Sequence, residues 1–140
     1  MSEAVREVPK KERPEIRNIH VTELGNYRMP PSAIVSILHR ISGFGMLLML
    51  PFILYLLQES LRSEISYAHF AGIVDNWFAK LVIFGLSWAY LHHFTAGIRH
   101  LFMDNHMALD KDASQSTARY VLMISLALTV VVALKLFGVF

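Results

Sequence analysis

The chain has no cysteine. Disulfides are therefore excluded, and so is an iron–sulfur cluster held by this chain's own thiolates. Charge is scarce as well. Asp, Glu, Lys and Arg supply 17% of 140 residues, against about 25% in a soluble domain. Net charge is only +2, and no basic face interleaved with aromatics points to nucleic acid. Residues 1–20 lack the apolar core of about 7–15 residues that a signal peptide needs. Glu3, Glu7, Glu12 and Glu15 in that stretch argue against an acid-poor mitochondrial transit sequence. Any redox role must then run through histidine ligands or through a cofactor on a partner.

What the chain does have is apolar length. Hydrophobic residues make up 54% of it, and they are concentrated. Ile41–Gln58, Leu81–Ile98 and Tyr120–Leu134 contain no Asp, Glu, Lys or Arg, and the first two runs are 18 residues each. At about 1.5 Å per residue, about 20 residues cross the hydrocarbon core of a bilayer. The pattern predicts an all-α integral membrane domain over 32–140, with three transmembrane helices at about 32–61, 69–103 and 117–137. The second could start at His69 or at Phe78. Pro30 and Pro31 punctuate the entry to the first helix, with Ser32 as a candidate cap, and Pro51 predicts a kink. Tyr67, His69, Phe70 and Trp77 in the first connection suit an interfacial aromatic belt. Asp104–Ser116 reads as a polar second loop, and residues 1–31 as a polar cytoplasmic arm.

Lys and Arg set an expected orientation. Arg6, Lys10, Lys11, Arg13, Arg17, Arg28, Arg40, Arg99, Lys111 and Arg119 fall on the N-terminal side of the membrane; Arg62, Lys80 and Lys135 fall on the other. Ten against three puts the N-terminus in the cytoplasm and the C-terminus in the periplasm of a bacterial inner membrane.

Chemistry-bearing residues collect at two places. His93, Gly97, His100 and Asp104 lie at i, i+4, i+7 and i+11, one stripe of a helix, with His92, Ala96, Arg99 and Met103 on the stripe beside it. Asp104 marks the cytoplasmic boundary, so His93 lies about 16 Å deeper, near the bilayer midplane. Ionisable residues at that depth are expensive and mostly functional. A neutral imidazole there suits an axial haem ligand. Gly97 leaves room for a porphyrin edge, and Arg99 and His100 could pair with the propionates nearer the surface. The bland reading is an interhelical hydrogen bond with Arg99 and His100 snorkelling. Spacing alone does not choose between His92 and His93. Because there is one deep ligand stripe, a second axial histidine would have to come from another chain.

The second place is Ser36, His39, Arg40 and Gly43, at i, i+3, i+4 and i+7 on the first helix. A hydroxyl and a guanidinium at the cytoplasmic end suit a quinone carbonyl, whose oxygen gains negative charge as electrons arrive. The alternative is an arginine that only obeys the positive-inside rule.

Together, Ser36-Ile-Leu-His39-Arg40-Ile-Ser-Gly43 and His93-x-x-x-Gly97-Ile-Arg99-His100-x-x-x-Asp104, with Arg13-Pro14 upstream, resemble the cytochrome b membrane-anchor subunit of succinate dehydrogenase. The likeness spans roughly residues 13–140. It implies a complex with a flavoprotein subunit carrying FAD, an iron–sulfur subunit and a second membrane-anchor subunit. It implies haem b with His93 as one axial ligand and His100, Arg99 and Gly97 around it. It implies a ubiquinone site that includes Ser36, Arg40 and His39. A fumarate reductase anchor, a purely structural anchor and a small proton-conducting subunit using His92, His93 and Arg99 are the competing readings.

Overall fold

The computed structural model describes residues 20–139. Of the arm expected over 1–31, residues 1–19, including Arg13-Pro14, lie outside the described residues. Val21–Asn26 forms a single 3-10 stretch. Four helices follow: α1 (Pro31–Arg62), α2 (Glu64–Val74), α3 (Trp77–Asp104) and α4 (Lys111–Leu136). No strand occurs among the described residues. α1, α3 and α4 are each long and apolar enough to cross a membrane, as the uncharged runs lead one to expect.

The helix ends differ from the sequence expectation in instructive ways. Pro31 is the first helical residue of α1, behind Pro30. A proline fits there because that N–H has no helical partner anyway. Ser32 therefore lies inside the first turn and is not the cap. The helix runs unbroken through Pro51 to Arg62. Its 32 residues extend about 48 Å, well past a hydrocarbon layer of about 30 Å. Directly after α1, the polar Ser63-Glu64 pair starts a new helix. Ser63 is extended, and its hydroxyl accepts from the Ser66 N–H while the Ser66 hydroxyl accepts from the Ser63 N–H. That reciprocal cap opens α2 inside the expected first connection.

α2 stops at Asp75, and α3 begins afresh with the Asn76 side chain accepting from the Phe78 N–H at 2.8 Å. The second membrane helix thus starts at Trp77, not at His69. Lys80 pairs with Asp75 across the break, and this holds the exposed Asp75 carboxyl below the usual carboxylate range. The second loop is only residues 105–110, with His106 and Ala108 in the left-handed region at φ 60° and 55°. α4 begins at Lys111, so the polar residues up to Ser116 are helical. In a membrane protein, polarity marks the edge of the bilayer and not the end of a helix.

α1, α3 and α4 pack against one another. Their shared core is small: Val35, Ala96, Ala118 and Val121, with Leu122 beside them. The other buried side chains are polar, namely Ser42, His92, Arg99, Ser125 and Thr129. Meanwhile Phe44, Leu47 and Leu48 are each 63% exposed. Small and polar inside with large apolar outside is the inverse of a water-soluble core. In lipid there is no drive to hide leucine, and helices approach through small residues. The hydroxyls of Ser125 and Thr129 donate back to their own helix, to Leu122 O at 3.1 Å and Ser125 O at 2.7 Å, so they need no partner across the interface.

Candidate functional site

Helical rotation sorts the residues of α3. At about 100° per residue, His92, Ala96 and Arg99 share the inward stripe, and all three are buried. His93, Gly97 and His100 come about 100° round and are half-buried. α1 divides the same way. Val35 and Ser42 are buried, while Ser36, His39 and Gly43 are half-buried and Arg40 is exposed. The two half-buried flanks meet at a lateral face of the bundle.

The meeting is a stack of imidazoles. The His39 and His93 rings lie 4.0 Å apart at 11°, and His39 also touches His100 at 4.9 Å with a 49° tilt. The His93 Nδ1 lies 3.0 Å from the main-chain carbonyl of His39. A carbonyl can only accept, so Nδ1 carries the proton and donates. In the neutral ring, Nε2 is then a bare lone pair. It makes no hydrogen bond among the described residues, and, unlike the nitrogens of His92, it is not sealed off. No three His, Asp or Glu side chains among the described residues converge on one point, so these rings form a stack and not a chelate.

Gly43 makes the His93 position possible. A Cβ there would lie 2.7 Å from His93 Cε1 and 3.1 Å from Nδ1. At Gly97, expected to leave room for a porphyrin edge, an added Cβ would meet His39 Nε2 at 3.7 Å, an ordinary contact.

Other expected site residues separate from the stack. Ser36, on the same half-buried flank of α1 as His39, and the exposed Arg40 make no side-chain hydrogen bond or ion pair among the described residues. Arg99 turns inward, 6% exposed. It donates through Nε to Thr117 Oγ1 at 3.1 Å and through Nη2 to Ser114 O at 3.1 Å and Oγ at 2.9 Å. It clamps α3 to the start of α4 and does not join His93, His39 and His100. His92 is fully buried, stacks on Trp88 at 5.5 Å, and neither of its ring nitrogens has a hydrogen-bond partner among the described residues. Gly43 belongs to the stripe with Ser36, His39 and Arg40 that the spacing already grouped; Ser42, one residue before it, is the site residue that the spacing did not single out.

The sequence model of the succinate dehydrogenase/fumarate reductase transmembrane subunit matches residues 11–132. The chain belongs to that family. It is 42% identical over 83 residues to the succinate dehydrogenase cytochrome b556 subunit of Coxiella burnetii, a match covering 59% of this chain and 66% of that one, just under two thirds. It is 29% identical over 111 residues to the subunit of the same name in Paracoccus denitrificans, covering 79% and 85%. With that of Rickettsia felis it shares 30% over 121 residues, covering 85% and 94%. Family membership and three apolar helices together make it a membrane protein of the succinate dehydrogenase type.

Proposed function

We propose that this chain is the cytochrome b membrane anchor of a succinate dehydrogenase (respiratory complex II), holding haem b through His93 and forming part of the ubiquinone-reduction site with Ser36, Arg40 and His39. The observation that carries this is the His93 ring. Its Nδ1–H is tied to the His39 carbonyl, and its Nε2 makes no hydrogen bond among the described residues and is not sealed off. Metal-bound histidines are oriented in that way, by a hydrogen bond from the nitrogen that does not ligate.

The donor set fits a haem bound at the lateral face. His93 would hold the iron, Gly43 lets its ring approach α1, and His39 and His100 lie on the cytoplasmic side where propionates would meet polar groups. Arg99 is left out of that shell, since its guanidinium is engaged by Ser114 and Thr117. When bound, the haem would supply reversible one-electron storage. The chain's own residues position and polarise. The Ser36 hydroxyl would donate to a quinone carbonyl oxygen, and Arg40 would favour that oxygen as its negative charge grows.

The remaining parts must come from partners. A cysteine-free chain holds no iron–sulfur cluster, so electrons would arrive from an iron–sulfur subunit, fed by a flavoprotein with FAD. A second anchor subunit would give the other axial ligand. The excess of Lys and Arg supports a cytoplasmic N-terminus, with residues 1–31 as an arm toward the soluble subunits, in a bacterial inner membrane. The relatives' names favour succinate oxidation over fumarate reduction.

The test is a dithionite-reduced minus oxidised spectrum of the complex purified through this chain, alongside succinate-dependent quinone reduction. A b-type band together with succinate-dependent quinone reduction is expected. A complex that oxidises succinate with soluble dyes but has neither a b-type band nor quinone reduction would make the chain a structural anchor.

A further inference from the structure

Ser42 is almost fully buried, 4% exposed, on the stripe of α1 that faces α3. Its hydroxyl donates to the His39 carbonyl at 3.0 Å. The same carbonyl accepts the His93 Nδ1–H, also at 3.0 Å. One oxygen with two lone pairs therefore serves a serine and a candidate ligand at equal distance. Ser42 Oγ is 3.3 Å from Nδ1, beyond the usual N–H···O range of about 2.7–3.2 Å. The hydroxyl is thus mainly a competitor for the carbonyl and only marginally a second acceptor for the ring.

We propose that Ser42 is a positioning residue for His93, sharing the His39 carbonyl so as to limit how strongly it draws on the Nδ1–H, and thereby raising the reduction potential of a haem held at Nε2. This rests on the reading of His93 as an axial ligand. The physics is that of hydrogen bonding around a metal ligand. The more fully the far nitrogen gives up its proton to an acceptor, the more basic the ligating nitrogen becomes. A more basic ligand favours the oxidised metal and lowers the potential, one of the means by which a protein tunes a haem. A donor that occupies the same carbonyl weakens that pull.

A plainer origin for the Ser42 bond exists. Serines in apolar helices commonly donate to the carbonyl three or four residues back, with no consequence for a neighbour. That origin predicts no effect on the haem, so a potential separates the two. Ser42→Ala is a mild probe, since it keeps the Cβ and removes one oxygen.

The experiment is a redox titration of the b-type band in the purified complex, with haem content measured beside it. Ser42→Ala should retain full haem content and titrate at a lower potential than the parent. Ser42→Thr, which keeps the hydroxyl, should return toward the parent value. An unchanged or raised potential in Ser42→Ala overturns the proposal. His93→Ala separates the underlying reading. If it loses the band while Ser42→Ala titrates like the parent, only the role of Ser42 falls. If His93→Ala keeps the full band, the ligand reading falls and the Ser42 proposal falls with it.

Discussion

Gly43→Ala tests the geometry of the lateral face by adding one methyl group. Its carbon would lie 2.7 Å from His93 Cε1, where carbon pairs rest at about 3.5–4.0 Å. Ring and helix must separate by roughly 1 Å. The ring cannot simply swing aside, because its Nδ1 is bound to the His39 carbonyl one turn before Gly43 on the same helix. Overpacking of this kind costs about 1–3 kcal/mol. Replacing glycine in a helix returns up to about 1 kcal/mol, and stretching the His93 bond removes about the same. A net loss of about 1–3 kcal/mol follows. Gly97→Ala is the matched control: its methyl would meet His39 Nε2 at 3.7 Å, so stability should hold or rise slightly. The assay is thermal unfolding of the purified complex together with its haem-to-protein ratio. Gly43→Ala should lower both and Gly97→Ala neither. Loss of haem in Gly97→Ala with a normal Gly43→Ala would refute the placement of His93 against α1.

Three more changes probe other parts. Arg40→Leu should depress quinone reduction while succinate oxidation by soluble dyes continues; equal loss of both would make Arg40 an assembly residue. Thr117→Val removes the acceptor of the buried Arg99 Nε, which should lower thermal stability by about 1–3 kcal/mol and leave the b-type band unaltered. Finally, Lys80 lowers the pKa of Asp75, so the pair contributes above the unfolded carboxylate pKa of about 4 and is lost as pH falls through the depressed folded value. Lys80→Gln should therefore flatten stability against pH only on the acid side, and a difference that grew above pH 7 would contradict the pairing.

The membrane architecture was legible because long uncharged runs leave few alternatives. Helix ends were not. The break at Asp75 and Asn76 carries no clear sequence signal, and Lys111–Ser116 looks like loop by polarity, yet helical hydrogen bonding is independent of where the bilayer stops. Within the site, i, i+4 and i+7 spacing correctly grouped His93, Gly97 and His100 on one stripe. Which stripe faces inward is a tertiary fact, decided here by the packing of His92, Ala96 and Arg99 against α1 and α4. Arg99 illustrates the limit. Of its partners, Ser114 sits in a stretch that reads as loop and Thr117 at the expected start of the last helix, so nothing in its own neighbourhood announces a clamp to α4. Ser42 went unread for a similar reason: its importance lies wholly in what α3 places opposite it.

The most direct test of the account compares two neighbouring histidines. His92 lies inside the bundle with both nitrogens unpartnered among the described residues, and His93 is half-buried with its Nδ1 held by the His39 carbonyl and its Nε2 not sealed off. Reduced-minus-oxidised spectra of complexes carrying His93→Ala and His92→Ala separate the two positions. The b-type band should be lost in the first and kept in the second. A full band in His93→Ala, or its loss in His92→Ala alone, would contradict it.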